Sequence, residues 1–96
     1  MRMLLIFVDS HHEGDVERIL DESDVPGYST FHNVLGKGVT GRKLGTRAHP
    51  GSSTLFFVVL PDGDCHTLCD RLRALRDQAG PEEGLKGYVL NTEEVL

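Results

Sequence analysis

Apolar and polar positions along the chain change period several times, and each change marks an element. Met3-Leu4-Leu5-Ile6-Phe7-Val8 is apolar without interruption and closes at Asp9-Ser10, which predicts a strand buried on both faces. From Glu13 to Ser23, Val16, Ile19 and Leu20 recur at helical spacing against Asp15, Glu17, Arg18, Asp21 and Glu22. This is an amphipathic helix that ends before Pro26-Gly27. Residues 28–35, with Tyr, Thr, Phe and Val, predict a second strand. Gly36, Gly38, Gly41, Gly45 and Gly51 then punctuate a stretch with little to bury, and a flexible loop is expected over 36–51. Residues 54–60 carry the strongest strand signal and close at the turn Pro61-Asp62-Gly63. Asp64 or a neighbour can cap a second helix, striped by Cys65, Leu68, Cys69, Leu72, Leu75 and Ala79, which Gly80-Pro81 stops. Gly87-Tyr88-Val89-Leu90 is a short last strand, followed by the acidic Glu93-Glu94.

The order βαββαβ predicts an α+β, ferredoxin-like sandwich, an antiparallel sheet with both helices on one face. The first and third strands are apolar on successive residues, so the uncovered face also wants burial. That expectation implies a homo-oligomer with the bare sheet face between subunits.

Length sets the domain count: 96 residues leave room for one domain, 1–96. Apolar residues at 39% and charged residues at 26% are ordinary globular usage and exclude disordered or coiled-coil chains. A net charge of -5 argues against a nucleic-acid partner. The charge is uneven, however. No Asp or Glu falls between Asp24 and Asp62, whereas Lys37, Arg42, Lys43 and Arg47 all do, so the glycine-rich loop is locally basic. The apolar runs fall far short of the ~20 residues a membrane span needs, and Asp9 ends the first too early for a secretory signal. Cys65 and Cys69, four apart, suit neither a disulfide framework nor a redox pair. A cytoplasmic protein with reduced thiols is expected.

Gly36-Lys37-Gly38-Val39-Thr40-Gly41 matches the dinucleotide-binding glycine pattern, but no helix can open at its third glycine. Residues 36–43 also approach a phosphate-binding loop, with Arg42 intervening before the lysine. What survives is a loop of accessible backbone amides and four cations, suited to a phosphate or carboxylate. His11 and His12, beside Asp9, Glu13 and Asp15, are weak metal candidates, because adjacent side chains diverge. Cys65 and Cys69 share the apolar stripe and read as core. No nucleophile, base or carboxylate pair stands out, so no enzymatic activity and no obligatory cofactor are expected.

Three stretches resemble the PII and PII-like signalling proteins. Asp15-Val16-Glu17-Arg18-Ile19-Leu20 through Pro26-Gly27-Tyr28-Ser29-Thr30 is similar to their acidic helix and following strand. Asn33-Val34-Leu35-Gly36-Lys37-Gly38 resembles the entry to their long T-loop. Lys86-Gly87-Tyr88-Val89-Leu90-Asn91-Thr92-Glu93-Glu94-Val95 resembles their C-terminal signature without a gap over ten residues. The resemblance implies a homotrimer that binds an adenine nucleotide or another small anionic effector in clefts between subunits. It also implies a T-loop, here 36–51, that docks on a membrane transporter or metabolic enzyme. By position, Thr30 would face the base, Gly36, Lys37 and Gly38 would line the cleft, and Gly84, Lys86 and Gly87 would approach phosphates. Arg42, Lys43 and Arg47 would belong to the T-loop, and with no tyrosine between Gly36 and Gly51 uridylylation is not expected. The alternative is a CutA-like or PII-like trimer that binds zinc or copper.

Overall fold

The computed structural model describes residues 1–38, 41–43 and 52–96. The elements follow the expected order. β1 (Arg2–Asp9) leads through a 3-10 turn (Ser10–His12) into α1 (Glu13–Glu22), and β2 (Ser29–Val34) is followed by the short strands β3 (Gly36–Gly38) and β4 (Gly41–Lys43). Next come β5 (Ser53–Leu60), α2 (Asp62–Ala79), a second 3-10 turn (Pro81–Glu83) and β6 (Lys86–Asn91).

Four strands form one sheet in the order β2-β5-β1-β6. Every pairing in it is antiparallel, β1 lying between β5 (Ile6 opposite Phe56) and β6 (Ile6 opposite Gly87). Each helix therefore connects two parallel strands with a third strand between them, the split βαβ arrangement of the ferredoxin-like fold. The β2–β5 ladder shifts register between Phe31 and Val34. Asn33 sits at φ 59° in that interval, a left-handed conformation that asparagine adopts more readily than most residues.

Antiparallel strands turn alternate side chains to opposite faces, and burial follows that period. Leu4, Ile6, Val8, Phe56, Val58 and Leu60 are at most 1% exposed on the helix-covered face. They pack with Val16 and Leu20 of α1 and with Cys65, Leu68 and Leu72 of α2. Across the sheet, Met3, Leu5, Phe7, Leu55, Phe57 and Val59 are only half-buried. The register adds exposed Phe31, Tyr88 and Leu90 to the same face. Phe7 and Tyr88 meet there edge to face at 6.2 Å. The expectation that the first and third strands are buried on both faces is thus corrected within a single chain, because both helices cross the same side.

Two further differences concern turns and caps. Residues 36–43 are not wholly loop: Gly36 pairs with Lys43, Lys37 with Arg42 and Gly38 with Gly41, so the basic segment starts as a two-stranded ladder. Helix α2 begins at Asp62 behind Pro61, with no side-chain cap. Asp62 and Asp64 instead place negative charge in its first turn, where the helix dipole favours it. No helix among the described residues is long and apolar enough to cross a membrane.

Phe56 is fully buried at the centre of this core. Phe56→Ala should lower the unfolding free energy by about 3–5 kcal/mol, read as a shift in the urea midpoint.

Candidate functional site

The residues expected to bind an anion fall into two groups on opposite edges of the sheet. β6 is one edge strand and β2 the other. Three inter-strand steps separate them, roughly 14 Å at the usual ~4.8 Å spacing.

The first group gathers where α2 returns to the sheet. The helix stops at Gly80 (φ 88°), the 3-10 turn follows, and Gly84 adopts φ 62°, a left-handed position that glycine occupies without penalty. Lys86 and Gly87 then open β6. Between α2 and this edge lies a groove of about 130 Å³. Its apolar floor is Leu4, Ile6, Leu72, Leu85 and Val89, and its rim carries Arg73, Arg76 and Lys86. Arg73 is held by Asp70 at 3.1 Å, and Arg76 lies 3.7 Å from Asp77. Such a groove pairs an apolar surface with the guanidinium groups of Arg73 and Arg76 beside the start of β6, which suits a ligand with one flat apolar part and one anionic part. Arg73 and Arg76 fall outside the apolar stripe of α2. Periodicity separates core from water but does not show which wet positions overhang a sheet edge.

Cys69 also lines the groove, and Cys65 beneath it is buried. Burial first, and then the neighbouring Cys69, push the Cys65 thiol up to about 11. It is therefore protonated and unreactive near neutral pH, which agrees with the core role expected for it.

The second group lies at the β2 edge. Thr30 is half-buried, and Gly36 and Lys37 are exposed. Gly38, Arg42 and Lys43 take part in the β3–β4 ladder, and Arg47 lies outside the described residues. A methyl group added at Gly36 would meet nothing within 4 Å.

A polar knot missed by the sequence reading fixes both stems of the basic segment. The Ser10 amide donates to the Ser52 carbonyl at 3.0 Å, and the Ser10 hydroxyl lies 2.9 Å from that of Ser52 and 3.2 Å from that of Thr54. The Thr54 hydroxyl donates to Glu13 Oε2 at 2.7 Å, and His32 Nδ1 reaches the same oxygen at 3.1 Å. β2 enters the segment beside His32, and β5 leaves it beside Ser52. The turn after β1 therefore grips both ends. The sequence signal was weak, since Ser10, Glu13 and Thr54 are ordinary cap and strand residues until the sheet brings them together.

The weak metal candidates separate. His11 is exposed, and its amide donates to Asp9 Oδ1 at 2.9 Å. His12 points toward Glu83, with Nδ1 3.6 Å from Oε2.

No protein-family model matches the chain, and no curated protein matches it in sequence. Solved structures do match in shape. CPII, a nitrogen regulatory PII-like protein from Thiomonas intermedia K12 bound to ADP, AMP and bicarbonate, superposes with a TM-score of 0.75 at 19% identity, over 93% of this chain and 82% of that one. The apo form of CPII gives a TM-score of 0.70 at 16% identity, over 93% and 85%. The chain has a PII-like fold. This bears out the fold expected from the strand order and from the C-terminal resemblance, and it does not favour the CutA-like alternative.

Thr54 is fully buried and bonds a carboxylate. Thr54→Val should cost about 1–3 kcal/mol, measured by chemical denaturation, with the helical circular dichroism signal unchanged.

Proposed function

We propose that this protein is a non-enzymatic, cytoplasmic PII-like regulator. It binds a small anionic effector, an adenine nucleotide foremost, in clefts between subunits of a homotrimer. It passes that state to a membrane transporter or metabolic enzyme through its basic segment, residues 36–51.

The observation that carries the reading is the groove between α2 and β6, with an apolar floor and Arg73, Arg76 and Lys86 at its rim, set in a PII-like fold. Adenine offers an apolar face to such a floor and phosphate an anion to such a rim. CPII, similar in fold, is bound to ADP, AMP and bicarbonate. At about 130 Å³ the groove is smaller than the 300–1,000 Å³ typical of sites that enclose a small molecule. It would supply one wall of a larger site.

The second wall is argued from topology. Lys37 and Lys86 stand at opposite sheet edges, so one effector that touches both must lie between two copies. Repeating the β2-edge to β6-edge contact head to tail closes a ring. The bare apolar face, with Leu5, Phe7, Phe57 and Tyr88, would turn toward the ring's centre, where burial is worth roughly 25 cal/mol per Å². Gly36 leaves open space where the effector or the neighbouring copy can approach the backbone. Cys65 and Cys69 are unbridged, which is compatible with a reducing compartment.

Calorimetric titration with ATP, ADP and AMP, each with and without bicarbonate, tests the reading. Saturable binding is expected for the wild type, and Arg76→Ala or Lys86→Ala should weaken it about 10- to 100-fold. A subunit-mixing experiment tests the shared site. Lys37→Ala and Lys86→Ala should each bind with that weakened affinity as pure oligomers. Mixed oligomers should regain wild-type affinity at about a quarter of their interfaces. Mixed oligomers without recovery would refute the shared cleft.

Phe57→Glu places a charge on the bare face without touching the core. It should convert the oligomer to folded monomers in sedimentation analysis. An assembly of unchanged mass would show that this face is not the interface.

A further inference from the structure

We infer that His12, Asp15 and Glu83 form a binding site for a single divalent first-row transition ion of the zinc type. The two 3-10 turns bring the three residues together from distant parts of the chain. His12 ends the turn Ser10–His12, Asp15 lies in the first turn of α1, and Glu83 ends the turn Pro81–Glu83. One ligating atom from each falls within 4.8 Å of the other two.

The geometry is that of a loosely set ligand triad. Donors bound at ~2.0–2.2 Å to a tetrahedral or octahedral ion stand roughly 3.0–3.6 Å from one another. His12 Nδ1 and Glu83 Oε2 are 3.6 Å apart, longer than a hydrogen bond and at the upper end of that interval. Asp15 offers a carboxylate oxygen within 4.8 Å of both.

Burial and charge point the same way. The Glu83 side chain is only 2% exposed, whereas those of His12 and Asp15 keep 36% and 37% of their surface. A neutral imidazole with two carboxylates carries a charge of minus two, which one divalent ion cancels. One nitrogen and two oxygens form a borderline donor set that suits zinc, cobalt or manganese better than calcium. The half-exposed side of the triad leaves coordination positions for water. The competing partner of Asp15 is Arg18, at 3.7 Å on the helix surface, a weak exposed pair that a metal displaces at little cost.

The site does not depend on the nucleotide reading, although its Glu83 immediately precedes Gly84 and Lys86. A bound ion would pin the turn that leads into those two residues.

The test is equilibrium dialysis of the metal-free protein against Zn2+, with the visible spectrum of the Co2+ form recorded in parallel. About one ion per chain is expected, with cobalt bands of a low-symmetry nitrogen and oxygen site. Glu83→Gln, which preserves the shape of the buried side chain, and Asp15→Asn, at a half-exposed position, should each weaken binding by more than about tenfold. Controls His11→Ala and His66→Ala should not. Asp15→Asn keeps the test decisive if Glu83→Gln fails to fold. No saturable binding by the wild type, or binding unaffected by Asp15→Asn, overturns the assignment.

Discussion

The pairing of β1 with two antiparallel neighbours is the constraint on which the rest of the molecule depends. β1 is bonded to β5 along its whole length and to β6 over six positions. Its alternate residues Leu4, Ile6 and Val8 are thereby committed to the helix-covered face. A slip of one residue would send Met3, Leu5 and Phe7 into the core and Leu4, Ile6 and Val8 out of it. The core has no room for that exchange, because Phe56, Val58 and Leu60 are already fully buried against α1 and α2. Register on β1 therefore fixes both helices, and through them the positions of both 3-10 turns.

The same central strand keeps the two edges apart. β6 carries Lys86 and Gly87 on one side, and β2 leads to Gly36 and Lys37 on the other. The two groups of residues proposed to meet an anion therefore stand apart within one chain. The arrangement also leaves an apolar sheet face bare, with Phe57 and Tyr88 on it. In the proposed assembly one operation, the apposition of copies, would meet both deficits. The proposed assembly and the proposed effector site thus have one physical origin.

Polar groups do their work where the sheet ends. Beyond Val8 and before Thr54 the apolar ladder gives way to Ser10, Glu13, Ser52 and His32, which tie the stems of the basic segment to the turn after β1. Arg73, Arg76 and the buried Glu83 lie toward the opposite edge, around the turn before β6, where the backbone leaves regular structure and side chains can converge.

Much of this was legible in the chain. The apolar runs at 3–8 and 54–60, the helical stripe Val16, Ile19, Leu20 and the stripe Cys65, Leu68, Leu72 follow from local periodicity, which needs no partner to be read. Gly84 and Lys86 were marked by likeness to a known signature, and the structure places them together at the opening of β6. The place of Arg73 and Arg76 beside β6 was not legible, because periodicity reports a helix face and not its neighbour. The Thr54–Glu13–His32 link and the His12–Asp15–Glu83 triad were invisible for the same reason, since their members lie 19 to 71 positions apart apart from local pairs such as His12 and Asp15. The sequence by itself determined which segments become strands and helices, because backbone preference and the spacing of apolar residues act locally. Only the tertiary structure decided which face stays bare and which polar groups meet, because strand order and register bring distant residues within bonding reach.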